Sequence, residues 1–181
     1  TSAVTVLSSD DPVRVFQRFS TLNAITGGRA EVVLGRGSFT ESFPLFGQNL
    51  EDYDLLFEEK LDLFAQLLRK PEVTWSGETR APLNRQKVYP TLGAGGLAAW
   101  VGVGGSPESV VRAARHDLPM MFAIIGGDPA RFKPYVDLYH RATAQLNRSI
   151  RPLGVHSPGY VADTDVDAME QIWPHYKVLH D

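Results

Sequence analysis

The chain has 181 residues, 43% of them hydrophobic, and a formal net charge of −3, so we expect one packed domain and no basic surface for nucleic acid. It contains no cysteine, which excludes disulfides and thiolate metal sites and fits a cytoplasmic location. Its longest apolar runs, such as residues 118–125, are far shorter than the ~20 residues of a membrane span, so a soluble protein is expected.

Three places in the sequence have an Asp or Ser followed by Pro, between a β-rich run and a helical pattern. They are Asp11-Pro12, Ser106-Pro107 and Asp128-Pro129. An Asp or Ser side chain accepts a hydrogen bond from a first-turn N–H, and Pro fits the first helical position. Each site therefore predicts the junction of a strand and a helix. The runs near residues 3–7, 98–103 and 120–125 are continuously apolar, as in strands covered on both faces.

The other elements follow from periodicity. The first helix is expected to bury five apolar side chains and to end at Gly27-Gly28, and a strand follows at 30–34. A helix over 51–69 should bury Phe57, Leu61, Phe64 and Leu68 and expose the charged residues 58–60. The five side chains expected on the first helix are Val15, Phe16, Phe19, Leu22 and Ile25.

The region of about 70–96 contains turn signals and is predicted to be a hairpin excursion. Helices over about 107–116 and 129–147 follow, then a strand near 152–156. A capping box that starts at Thr164 begins the last helix. This alternation indicates one α/β domain over residues 1–181, with a parallel sheet and outer helices. Five strands are too few to close an eight-stranded barrel, so the pattern leaves a partial (β/α)₈ barrel and a small doubly wound sheet both open.

Two strand ends carry residues suited to bind an anion. Arg36 lies between two glycines after the strand at 30–34. Gly104, Gly105, Ser106 and Ser109 lead from the next strand into a helix, whose N-terminal amides and dipole favour an anion. In either architecture these strand ends meet at the ligand-binding edge of the sheet. A well-capped helix and a solvated arginine are the plainer interpretations.

Other chemistries lack their motifs. The stretch from Gly102 is not a dinucleotide fingerprint, because Pro107 occupies the third glycine position, and a P-loop is missing. The chain has no G-x-S-x-G elbow and no histidine spacing typical of a metal site. His156 follows a strand and could face a site, although a single histidine is more often structural. The five histidines are His116, His140, His156, His175 and His180.

The sequence resembles the luciferase-like flavin-dependent monooxygenases. The first half of the resemblance lies in Val6-Leu7, Asp11-Pro12-Val13-Arg14, Leu22, Gly27-Gly28-Arg29 and Leu34-Gly35-Arg36-Gly37, and the second in the stretch from Trp100 to Met121. It covers nearly the whole chain. It implies that the chain forms part of a TIM (β/α)₈ barrel, namely strands three to seven of the eight.

The resemblance implies FMN at the barrel mouth, with its phosphate held by Arg36, Gly104, Gly105, Ser106 and Ser109. It further implies a non-proline cis peptide at Ala3-Val4, beneath the flavin ring. The implied reaction uses reduced FMN from a separate reductase and O₂ to oxygenate a small organic substrate. Family residues on the first two strands and the last are absent, so no catalytic acid or base is named.

Two other functions remain open: a flavin- or phosphate-binding truncated barrel without catalysis, and a deazaflavin-dependent oxidoreductase. The chain starts without Met in a strand-like run and stops at Asp181 within a helical pattern. We therefore expect a fragment of a longer enzyme, with a naturally short protein as the alternative. An open sheet would leave unpaired edge strands, so we expect missing strands or an oligomer contact to cover them.

Overall fold

A computed structural model describes residues 1–178 and contains seven β-strands. They are β1 (Thr5–Val6), β2 (Glu31–Gly35), β3 (Val73–Trp75), β4 (Leu83–Gln86), β5 (Ala98–Val103), β6 (Met120–Ala123) and β7 (Leu153–His156). Five of them form one sheet in the order β1-β2-β5-β6-β7, and each neighbouring pair is parallel. The predicted parallel sheet is confirmed. The first strand is shorter than predicted, because residues 7–9 form a 3₁₀ turn.

Six α-helices connect or follow these strands. They are α1 (Pro12–Ile25), α2 (Ser42–Leu45), α3 (Tyr53–Arg69), α4 (Pro107–Arg115), α5 (Lys133–Gln145) and α6 (Asp165–Val178). The predicted caps are confirmed: the side chains of Asp11, Ser106 and Asp128 each accept a hydrogen bond from a first-turn N–H, and Thr164 accepts one from the Asp167 N–H. Residues 129–132 form a 3₁₀ turn before α5, so that helix begins later than expected. His180 lies outside the described residues.

The core lies between one face of the main sheet and the helices. Ala99, Val101 and Val103 on β5 are buried, whereas Trp100 and Gly102 between them are only half-buried. Alternate residues of a strand point to opposite faces, so the two faces of this sheet have different surroundings. The sequence predicted strands covered on both faces, and the second face is covered only in part, because Gly102 on β5 and Met121 on β6 line a cavity.

Burial predictions for two of the helices were wrong. Leu22 and Ile25 are exposed, because the inner face of α1 continues through Asn23, whose amide donates to the Gly96 carbonyl and accepts from the Ala30 N–H. On α3, Lys60 is buried rather than exposed, Glu58 and Glu59 are half-buried, and Leu68 is half-buried rather than buried. The Lys60 ammonium group donates to the Ser8 carbonyl, so the 3₁₀ turn after β1 gives this buried charge a partner.

The predicted hairpin excursion is present between α3 and β5, as the antiparallel pair β3 and β4. Two acidic side chains of α3 hold it. The Glu59 carboxylate accepts from the Glu78 and Thr79 N–H groups at 2.9 Å and 2.8 Å, and the Trp75 indole donates to Asp62 at 3.0 Å.

The main sheet has β1 at one edge and β7 at the other. Within residues 1–178, no helix combines the length and the apolar character that a membrane span needs.

Candidate anion and cofactor site

A cavity of about 650 Å³ lies at the carboxyl ends of the parallel strands. Its wall includes the last residues of β2 and β7, Gly35 and His156, and residues that follow β2 and β5. All seven site residues predicted from the sequence line it: Ala3, Val4, Arg36, Gly104, Gly105, Ser106 and Ser109. The fold therefore brings together groups that are far apart in the chain.

Arg36 follows β2 in a turn between two glycines. Gly37 has a φ of +82°, which a residue with a side chain rarely adopts. The Arg36 guanidinium carbon lies 4.9 Å from the centre of the Tyr53 ring, and its Nη1 donates to Asp54 Oδ1 at 3.0 Å. The cation is thus held at the cavity wall by the first turn of α3.

The loop after β5 lines the same cavity. Gly105 has a φ of +124°, and its carbonyl accepts a hydrogen bond of 2.6 Å from the Tyr135 hydroxyl on α5. Ser106 caps α4 by accepting from the Ser109 N–H at 3.4 Å. Ser109 is buried yet lines the cavity. The first residues of α4, at the positive end of its dipole, therefore line the same cavity as Arg36.

Glu108 adds a negative charge at the start of α4, a feature that the sequence analysis did not weigh. Its carboxylate accepts a hydrogen bond of 2.7 Å from the Ser106 hydroxyl. That bond holds the pKa of Glu108 below its usual value, and the charges of Arg112 and Arg36 act in the same direction. An anion that accepts a hydrogen bond from the Ser106 hydroxyl must therefore compete for it with the ionised Glu108 carboxylate.

The Ala3–Val4 peptide bond is cis, as the resemblance implied. Val4 lies over two glycines of the sheet. A β-carbon on Gly35 would fall 2.6 Å from Val4 Cγ2, and one on Gly102 would fall 3.2 Å from Val4 Cγ1. The cavity floor is therefore shaped by one valine side chain against two glycines.

Asp54, Glu58 and Arg112 form an ion-pair network behind the cavity that the sequence analysis missed. Arg112 on α4 is buried and donates to Glu58 Oε2 at 2.6 Å and to Asp54 Oδ1 at 3.2 Å. Glu58 also pairs with Arg115. The sequence signal was weak, because acidic residues early in one helix and arginines in another usually form solvated faces. The pairing depends on how α3 and α4 are placed.

The rest of the cavity is largely apolar. Val33, Met121 and Ile125 contribute to its wall, and His156 lies at the end of β7 with its side chain exposed. A second cavity of about 420 Å³ adjoins the first and shares Gly37, Ser38, Phe39 and Tyr53 with it. Among residues 1–178, no cluster of three or more His, Asp or Glu side chains could hold a metal ion.

Comparisons of the sequence and of the structure with known proteins point to the same family. The family described as luciferase-like monooxygenase matches residues 1–180. The alkanal monooxygenase alpha chain of Photorhabdus luminescens is 25% identical over 169 residues, which is 93% of this chain and 46% of the relative.

Two solved structures have the same fold at lower identity. One is a type II Baeyer-Villiger monooxygenase, the oxygenating constituent of 3,6-diketocamphane monooxygenase from Pseudomonas putida, in complex with FMN. It is 16% identical, with a TM-score of 0.74 over 94% of this chain and 51% of its own. The other is an F420-dependent secondary alcohol dehydrogenase with an F420-acetone adduct. It is 19% identical, with a TM-score of 0.70 over 89% of this chain and 49% of its own.

The chain spans about half the length of the relatives it matches. Its five-stranded parallel sheet with outer helices is therefore part of a luciferase-like (β/α)₈ barrel. Because the family match extends over nearly every residue, the chain belongs to the luciferase-like monooxygenase family.

Proposed function

We propose that the protein binds FMN and serves an FMN-dependent oxygenation of a small organic substrate, with reduced flavin and O₂ as the other reactants. The observation that carries this proposal is the placement of Arg36 and the N-terminus of α4 at one cavity mouth. A cation and a helix N-terminus around a common space suit a phosphate group.

The residues of the cavity fit FMN. A volume of about 650 Å³ lies within the ~300–1,000 Å³ range of cofactor sites. Its polar groups are gathered at the mouth, where Arg36, Gly104, Gly105, Ser106 and Ser109 would hold the phosphate. Its floor is apolar at Ala3 and Val4, which would lie beside the ring system.

The residues of this chain bind and orient the cofactor, while bound flavin supplies the oxygen chemistry. Arg36 provides charge and donors for the phosphate, and the α4 dipole adds a favourable field. The apolar wall residues Val33 and Met121 would limit the access of water to the ring system. We assign no catalytic acid or base to this chain.

The proposal includes partners. A separate flavin reductase supplies the reduced cofactor, and the location is the cytoplasm. The relatives are about twice as long as this chain, so further polypeptide or an oligomer contact is expected at the sheet edges β1 and β7.

A deazaflavin-dependent oxidoreductase is the second candidate, because one structural neighbour contains an F420-acetone adduct. Both cofactors carry a phosphate, so the anion site suits either. A flavin-binding barrel without catalysis is the third possibility, and only a reaction assay separates it from the first.

Titration of the full-length protein with FMN and with F420, followed by flavin fluorescence, tests the choice of cofactor. We expect FMN to bind, and Arg36→Ala to weaken binding by roughly ten- to a hundredfold, since one charge-assisted hydrogen bond contributes ~1.5–3 kcal/mol. Arg14→Ala, which removes an exposed arginine of α1, is the matched control.

An oxygenation assay then uses reduced FMN, ¹⁸O₂ and a panel of aldehydes and ketones, with mass spectrometry of the products. Labelled product supports the monooxygenase. Tight F420 binding without FMN binding favours the second candidate, and FMN binding without labelled product across the panel favours the third.

A further inference from the structure

Arg36 needs a means of holding its side chain at the cavity mouth. Its backbone lies between Gly35 and Gly37, which do not restrict a long side chain by packing. An arginine that stays mobile loses conformational freedom when it binds an anion, and this loss weakens the binding. The groups that hold its guanidinium before the ligand arrives therefore affect affinity.

Tyr53 fixes both the side chain and the backbone of this turn. The centre of its ring lies 4.9 Å from the Arg36 guanidinium carbon, and its hydroxyl donates to the Gly37 carbonyl at 3.1 Å. Its ring is packed in turn against Phe43 at a centroid distance of 5.4 Å. One aromatic side chain at the start of α3 thus supports the turn from within the cavity wall.

Asp54 connects Arg36 with the helix that carries the rest of the anion site. Its Oδ1 accepts from Arg36 Nη1 at 3.0 Å and from Arg112 Nη2 at 3.2 Å. Arg112 belongs to α4, whose N-terminal loop faces Arg36. The Asp54 side chain is 70% exposed, whereas that of Arg112 is 9% exposed, so the carboxylate joins a buried cation to the one at the cavity.

The Arg36 guanidinium keeps donors for a ligand in this arrangement. Within the part of the chain that the structure describes, the guanidinium donates one hydrogen bond, from Nη1 to Asp54 Oδ1. Nε and Nη2 therefore remain available for a phosphate oxygen. Asp54 could act in either of two ways, because the same carboxylate either orients the cation or competes with the anion for it.

Resting on the FMN site proposed above, we propose that Tyr53 and Asp54 are positioning residues, which orient Arg36 toward the cofactor phosphate and align it with α4. The pairing of Asp54 with the buried Arg112 favours orientation over competition, because Arg112 holds the Asp54 carboxylate through a contact that does not involve Arg36. Neither residue is assigned a part in the chemistry.

The test compares FMN with riboflavin, which has the same ring but no phosphate. In the full-length protein, Asp54→Asn and Tyr53→Leu should each weaken FMN binding by about three- to tenfold and change riboflavin binding by less than about twofold. In an Arg36→Ala background, both substitutions should have no further effect on FMN binding. A general loss of structure would instead weaken both ligands and lower the melting temperature.

Asp52→Asn is the matched control, because it removes a neighbouring acid whose side chain does not cap α3. It should leave FMN binding at the wild-type value. If Asp54→Asn binds FMN more tightly, Asp54 competes with the phosphate for Arg36. If both variants bind FMN as the wild type does, neither residue orients Arg36. Either result overturns the proposal. A different result would contradict the FMN site itself: if the wild-type protein binds no FMN, both this proposal and the proposed function are wrong.

Discussion

The side chain of Val4 lies directly over Gly35, so that a β-carbon at position 35 would fall 2.6 Å from Val4 Cγ2. Gly35 has no positive φ, and the constraint is therefore one of space rather than of backbone conformation. We expect Gly35→Ala to lower the free energy of unfolding by about 1–3 kcal/mol, the usual cost of overpacking. Urea denaturation measures it.

Val4→Gly removes the clashing atoms and provides an internal check. The double variant Gly35→Ala/Val4→Gly should lose less stability than the sum of the single variants, because the two positions are in contact. Gly95→Ala is the control, since among residues 1–178 no heavy atom other than those of its chain neighbours lies within 4 Å of a β-carbon there. Strict additivity in the double variant would show that Val4 does not limit position 35.

The Ser109 hydroxyl is predicted to donate to the cofactor phosphate. Ser109→Ala removes one neutral donor from a buried position and leaves the Ser106 cap in place, so FMN binding should weaken by about two- to tenfold, which is less than for Arg36→Ala. Fluorescence titration gives the affinity, and urea denaturation should show little change in stability. A Ser109→Ala effect as large as that of Arg36→Ala contradicts this ranking of donors.

Removal of the Glu108 charge should strengthen phosphate binding. The hydrogen bond from Ser106 lowers the pKa of Glu108, so its carboxylate is ionised at neutral pH and repels a phosphate nearby. We expect Glu108→Gln to tighten FMN binding by roughly two- to fivefold, the range for exposed charge pairs, with a smaller gain at high salt. Riboflavin affinity should not change. Weaker FMN binding in this variant would indicate that Glu108 orients Ser106 for the ligand.

His116 is predicted to make the protein less stable as the pH falls below about 6.5, the ordinary pKa of a histidine. Burial lowers the pKa of His116 from its ordinary 6.5, and the nearby Arg115 and Arg69 also lower it, against the opposing charges of Asp62 and Glu58. As the pH falls below 6.5, the unfolded chain binds a proton before the folded chain does. The contribution of His116 to the free energy of unfolding is therefore complete above pH 6.5. It decreases as the pH falls from there toward the lower pKa of His116 in the folded state.

His116→Gln should remove this decrease, as measured by urea denaturation at half-unit steps from pH 7.5 to 5. The exposed His140 provides the control variant His140→Gln, which should retain the wild-type pH profile. A variant His116→Gln that still loses stability over this range would assign the pH dependence to other groups.

Local sequence signals were sufficient for the five parallel strands and the longer helices, but not for the short helix α2, and they also marked the residues at the cavity mouth. The caps Asp11 and Ser106 are recognised from a side chain and a following proline, and parallel strands bring their carboxyl ends together by topology alone. The residues that line the cavity at Arg36 and Ser106 could therefore be identified before the structure. What they bind remains a prediction.

Features that depend on how two helices meet were not predicted. Lys60 has the charge of a surface residue, and only the 3₁₀ turn over residues 7–9 gives its ammonium group a buried partner. Likewise, Asp54 and Arg112 become a pair only when the fold brings α3 and α4 within reach of their side chains. The exposed Ile25 shows the converse, because helical periodicity identifies an apolar face but not how far along the helix the core extends.

The two sides of the proposed anion site come from distant parts of the chain, since Arg36 follows β2 and Ser106 follows β5, with α3 and the whole hairpin between them. An unfolded chain therefore cannot offer FMN the same set of groups, and the cofactor should bind the folded state selectively. By mass action, FMN at a hundred times its dissociation constant should add about 2.7 kcal/mol to the free energy of unfolding. The flavin would then help to determine how much folded protein survives at a given temperature, and depletion of flavin would reduce the amount of folded protein along with any activity.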